Sequence, residues 1–242
     1  MELSIESLSK ESFLSFLEND ANIRVDGFLE SAMAVAEEVH EGVKREDGIS
    51  SFLDTHIWPV AKNMTVHYRQ HNKAITTVEI ASAVLHDVLE DNDRILNLYE
   101  TRSYGFDAYL RYQFGNRVLN VLHSLRTPAL DSYERKASKK DMEQERFHDY
   151  CALLADADYD LKCIKLFDRM NNMKFIAYTA STNKKPVVYM KIKRYLLEAE
   201  DFYLAYPILE PRMPELYKQL RGLYEQLRSY YLEETLSLPQ AQ

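Results

Sequence analysis

Glycine is the scarcest structural signal in this chain, with six among 242 residues against the ~7% of an average protein. Hairpin turns and phosphate-cradling loops both depend on it. The scarcity therefore argues against a β-sandwich, a Rossmann sheet or a P-loop. The seven prolines are also few. Cysteine is almost absent: Cys151 and Cys163 form neither a disulfide framework nor a zinc-binding spacing, which points to a reducing compartment. No apolar run approaches the length of a membrane span, and the opening MELSIESLSK is acidic, without a signal-peptide core. A cytoplasmic protein with no membrane partner is the expectation. Basic charge is also short, 30 Lys and Arg against 38 Asp and Glu, for a net charge of −8. Such a surface repels a long polyanion and argues against extended nucleic acid as a partner. A small phosphorylated ligand remains compatible, because a local basic pocket or a bound cation can override the mean field.

What is present builds a core. Hydrophobic residues make up 46% of the chain and aromatics 12%, too much for global disorder. No repeat and no low-complexity segment interrupts them. The periodicity predicts helices over 4–18 and 27–41, the second capped by Asp26 and ended by Gly42, with Leu29, Met33, Ala36 and Val39 on its buried face. A loop over 43–54 precedes a helix over about 57–70. Thr76 and Glu79 make a capping box that opens a helix running to about Asp91. Further helices are expected over 106–124, 141–154, 159–180 and 187–205. Beyond Pro207, Pro211 and Pro214, a last helix carries Leu216, Leu220, Leu223 and Leu227 as one apolar stripe. That stripe suits either packing on the body or an oligomer contact, so the oligomeric state stays open.

Two helices hold groups able to do chemistry. On a helix over 77–91, His86, Asp87, Glu90 and Asp91 share one face, an arc of roughly 140°, while apolar residues fill the other. A solvated polar face accounts for this pattern, and so does a functional site. In Leu161–Ile176 apolar side chains run almost all round the helix, so Asp168 is expected to be buried. A buried carboxylate needs a cation: Lys165 in a salt bridge is one candidate and a metal ion the other. His56 beside Trp58 reads, taken alone, as a packed core histidine ahead of a ligand, and Lys44-Arg45 as a solvated pair.

Taken in chain order, these residues form a pattern: His40-Glu41-Gly42 with Arg45 and Gly48, then His56, then Val84-Leu85-His86-Asp87-Val88-Leu89-Glu90-Asp91, then Phe114-Gly115, then Ile164 to Met173 with Lys165, Asp168 and Asn172. From about Ala32 to Tyr206 the chain resembles the HD hydrolase domain of the RelA/SpoT family. It departs from the family at Phe167 and Asn171, in a longer step from Gly48 to His56, and in Ile57-Trp58 standing before Pro59. The resemblance implies an all-α HD-domain bundle over 1–206 with a helical extension over 207–242, comparable with the stand-alone small alarmone hydrolases. It further implies His56, His86, Asp87 and Asp168 as ligands of a divalent ion, generally Mn²⁺. Glu90 and Asp91 become the catalytic carboxylates, and Lys44, Arg45, Lys165 and Asn172 the substrate-binding residues. The implied reaction is hydrolysis of the 3′-pyrophosphate of (p)ppGpp to GDP or GTP and pyrophosphate. Two alternatives stay open. One is an HD phosphohydrolase for another nucleotide, such as an adenosine alarmone, a nucleoside phosphate or NADPH. The other is a non-catalytic alarmone-binding regulator.

Overall fold

Local capping chemistry starts two of the helices where the sequence predicts. The Asp26 carboxylate accepts the Leu29 amide at 3.0 Å and opens α2, Gly27–His40. Thr76 and Glu79 form the reciprocal capping box that opens α4, Thr77–Val84. Such caps satisfy amide groups that the first helical turn leaves without partners. The computed structural model describes residues 5–90, 105–127, 138–182, 186–200 and 213–237. Among them are nine α-helices and no strand; one bridge pairs Lys44 with Ser51. The fold is all-α, as expected. No helix among the described residues is long and apolar enough to cross a membrane.

The chain falls into two compact units. The first comprises Glu6–Arg126 and Asp158–Asp168. It holds α1 (Lys10–Ser15), α2, α3 (Trp58–Gln70), α4, α5 (Gly105–Leu125) and the start of α7 (Tyr159–Thr182). Helix α4 packs against α2, α3 and α5, and every residue from Glu79 to Val84 is buried. Around it lie Leu29, Met33 and Ala36 of α2, Val60, Ala61 and Met64 of α3, and Leu110 and Val118 of α5. The first predicted helix is shorter than expected: α1 starts at Lys10, where the Ser9 hydroxyl caps the Ser12 amide, and it ends in a π-helical turn, Phe16–Asp20. Phe13 of α1 stacks on Trp58, with ring centroids 5.7 Å apart.

The second unit comprises Met1–Ile5, Thr127–Ala157 and Arg169–Gln242. It holds α6 (Lys139–Asp156), the rest of α7, α8 (Pro186–Glu198) and α9 (Pro214–Ser237). Helix α9 packs on α8 through a stripe of Leu216, Leu220, Tyr224 and Leu227; Leu223, counted in the predicted stripe, is half-exposed and Tyr224 is buried instead. Arg169 of α7 pairs with Glu198 of α8 at 2.6 Å and lies over Tyr195. The expected boundary between 1–206 and 207–242 falls within 201–212, outside the described residues.

Two further helices differ from expectation. The helix predicted over 77–91 ends at Val84, and Leu85–Glu90 form turns closed by the Val88 amide on the Leu85 carbonyl and the Glu90 amide on that of Asp87. The helix predicted over 106–124 is present but broken at Gly115, with φ 79° and ψ 172°. Only glycine tolerates that combination readily. The two halves turn back on each other, bringing His123 to 2.8 Å from Asp107.

A polar network running from buried His67 and Tyr68 out to exposed Arg117 ties α3, α4, α5 and α7 within the first unit. His67 meets the Tyr159 hydroxyl at 2.7 Å, and the Tyr68 hydroxyl donates to Asp160. Arg117 bridges Glu79 at 2.6 Å and Asp160 at 3.0 Å. Burial pushes the His67 imidazole down to about 4, with His71 and Lys73 adding to the shift, so it is neutral near pH 7.

Candidate metal centre

Three segments of the first unit deliver side chains to one point. The first is a loop with unusual local chemistry. Asp47 folds the chain back by accepting the Ile49 and Ser50 amides at 2.9 and 2.8 Å, with Gly48 at φ 74°. A π-helical turn, Leu53–Ile57, follows directly and carries His56. Wide turns of this kind recur at functional sites because they re-aim a side chain without ending the helix. The Asp54 carbonyl in this turn also receives the Leu8 amide at 2.8 Å.

The second segment is the turn after α4. The His86 ring donates from Nδ1 to the Ala83 carbonyl at 2.8 Å, occupying the acceptor that a continuing helix would offer to the Asp87 amide. That contact explains why the helix stops at Val84, and it corrects the reading of His86, Asp87 and Glu90 as one helical face. The third segment is α7, where every residue from Leu161 to Asp168 is buried. Asp168 is 4% exposed, so the burial expected from the sequence is real.

The donor atoms crowd together. His56 Nε2 lies 3.0 Å from His86 Nε2, 3.0 Å from Asp87 Oδ2 and 3.6 Å from Asp168 Oδ1. His86 Nε2 lies 3.2 Å from Asp87 Oδ2. Ligand atoms of His56, His86 and Asp168 all fall within 4.8 Å of one another. Bonds of about 2.1 Å to a shared first-row ion hold neighbouring donors roughly 3 Å apart, so these separations fit one cation. The chemistry fits as well. With Nδ1 committed to Ala83, neutral His86 presents a lone pair at Nε2, facing the Asp87 carboxylate. Acceptor against acceptor needs a positive charge between them, either a proton or a metal ion. This buried His/His/Asp group can hold a metal ion, with Asp87 at its edge.

The electrostatics follow the same logic. Burial opposes protonation of His86, but the Asp87 carboxylate outweighs it and, with Asp168, pushes the imidazole up to about 9. Burial also acts to raise Asp87, yet His86 and His56 hold it well below the usual carboxylate range. For Asp168 burial is again the largest influence, and Lys165 overrides it and lowers the carboxyl. Lys165 Nζ sits 3.0 Å from Asp168 Oδ2, so the salt bridge weighed for Asp168 is present and engages one oxygen, while Oδ1 faces His56.

Other expected site residues fare differently. Glu90 lies at the exposed rim, with its carboxyl raised by the protein around it and by Asp87 and Asp168, against the pull of Lys165. Arg45 is buried, 3.4 Å from Glu46 and with its guanidinium 5.5 Å from the Phe52 ring centre. Lys44 is exposed beside it. Asn172 is half-buried one turn past Asp168 on α7 and belongs to the second unit. Asp91 lies outside the described residues. Two residues with no role in the sequence reading border the centre. Phe52 stacks within 4.8 Å of His56 and 4.9 Å of His40, and His40 is itself buried. The opening motif at 40–48 contains His40, which was the available signal. No family model and no curated protein matches the chain. What the fold and site define is an all-α protein with a buried cluster able to bind a metal ion.

Proposed function

We propose that the protein is a metal-dependent phosphohydrolase, and more particularly one that removes the 3′-pyrophosphate of ppGpp and pppGpp. The observation that carries the class is the convergence of His56, His86, Asp87 and Asp168, from three separate segments, on a space one cation wide. The ordered resemblance to the RelA/SpoT HD domain supports the substrate. His56, His86, Asp87 and Asp168 would hold the ion, Mn²⁺ by that resemblance. A divalent ion bound there supplies a more acidic water and a counter-charge for phosphate oxygens.

The chain's own residues do the rest. Glu90, at the rim, takes the proton of the attacking water at a carboxylate oxygen. Water attacks the 3′ phosphorus, the bond to ribose O3′ breaks, that oxygen gains a proton, and pyrophosphate leaves with the water's oxygen. Asp91 is the residue assigned to the departing O3′. Lys165 acts through Asp168, which it steadies at Oδ2. Arg45 and Lys44 are assigned to the nucleobase and Asn172 to the ribose or a phosphate; the burial of Arg45 makes Lys44 the more accessible of the pair.

The test is a nucleotide panel with Mn²⁺. Pyrophosphate and GDP from ppGpp is the expected result. Orthophosphate released from other nucleotides, with ppGpp untouched, replaces the substrate assignment with another HD phosphohydrolase activity. Tight ppGpp binding with neither metal uptake nor turnover replaces the enzyme with a regulator.

A further inference from the structure

His40 closes α2 and is 1% exposed. Both ring nitrogens are buried, and neither has a hydrogen-bond partner among the described residues. Buried polar atoms in native proteins are almost always partnered, so such a ring calls for an explanation. Its position suggests one. His40 packs on Phe52, which also contacts His56, and it feels the charges of Asp87, His86 and His56. It stands next to the candidate metal ligands, yet the set of mutually close donor atoms is His56, His86 and Asp168 without it.

We propose that His40 is an outer hydrogen-bonding residue of the metal centre, bridged to the cation by a solvent molecule of the ion's hydration shell. The proposal rests on the metal reading above and adds to it a residue that is not a ligand. A neutral imidazole offers one N–H and one lone pair; water both donates and accepts, and so satisfies either. Side chains in such outer positions commonly change metal affinity 10–100-fold when removed. His40 is thus a positioning residue.

Mn²⁺ alone is the probe, titrated calorimetrically into wild type, His40→Leu and His40→Gln, with thermal unfolding of each measured free of metal. His40→Leu is expected to weaken Mn²⁺ binding about 10-fold or more. The same variant should unfold at a higher temperature without metal, because two unpartnered polar atoms leave the core. His40→Gln, which keeps a donor and an acceptor, should recover part of the affinity. A purely packed ring predicts wild-type Mn²⁺ affinity in both variants, and that result overturns the proposal. Loss of affinity and stability together in His40→Leu, without recovery in His40→Gln, overturns it as well. A wild-type protein that takes up no divalent ion at all defeats the metal reading itself, which keeps the two failures distinct.

Discussion

The first unit contains two buried histidine clusters, and they solve opposite problems. Around His67 polar groups meet partners of the opposite kind: imidazole with the Tyr159 hydroxyl, the Tyr68 hydroxyl with Asp160, Arg117 with Glu79 and Asp160. Around His56 possible ligand atoms crowd together instead, with His86 Nε2, Asp87 Oδ2 and Asp168 Oδ1 all within 3.6 Å of His56 Nε2. The first cluster is complete as it stands and works as a brace between helices. The second gathers two carboxylates, and with Lys165 facing one oxygen of Asp168 the remaining positive charge is left to a proton on His86 or to a metal ion. Residue types alone do not separate a structural network from a binding site. The balance of donors and acceptors does.

Substitutions should pull the two clusters apart, and the largest effect is expected at Asp168. Replacement by Asn should lower metal affinity by well over 100-fold and abolish turnover, because a neutral amide is a poor substitute for a ligand carboxylate; it also removes the charge that Lys165 faces at 3.0 Å. Metal content and pyrophosphate release on one preparation check this, and full metal loading would remove Asp168 from the ligand set. Glu90→Gln should leave metal bound and cut kcat by ~10²–10⁴. Wild-type turnover in that variant would reduce Glu90 to a solvated rim residue.

The brace should answer in stability instead. Tyr68→Phe, which strips the hydroxyl from Asp160, should cost about 1–2 kcal/mol in denaturant unfolding while Mn²⁺ affinity stays unchanged. A comparable loss, ~1–3 kcal/mol, is expected for Gly115→Ala, since alanine is strained at φ 79°. The smallest effect is in pH. His67 titrates near 4 in the folded chain and near 6.5 when unfolded, so the unfolded state binds the proton first as pH falls. The contribution is complete above about pH 6.5 and is lost between there and about pH 4. His67→Asn should flatten this part of the stability profile relative to wild type, and identical profiles would dismiss the buried neutral state of His67.

The two clusters were also unequally legible in the sequence. Asp168 announces itself, because a carboxylate in a helix that is apolar all round has to be partnered. His86 and Asp87 are visible as an adjacent pair, and their setting was misread: Val84, Leu85 and Val88 continue a helical period past the point where the backbone leaves the helix. Apolar spacing records burial, and a turn can bury the same side chains, as Leu85 and Val88 show. His67, Tyr68 and Asp160 carry no pattern at all, since their partners lie about ninety positions apart in the chain.

The sequence by itself determined the helical class, the starts of α2 and α4, the buried face of α7 and the candidate ligands, since all of these depend on neighbours within a turn or two. Caps, period and a stranded carboxylate are local physics. Tertiary structure decided where α4 stops, how Gly115 folds α5 back, which oxygen of Asp168 faces Lys165 and which faces His56, and that His40 lies beside the centre. Those outcomes turn on which acceptor a buried ring nitrogen or ammonium reaches first, and that is settled only when segments distant in the chain have packed together.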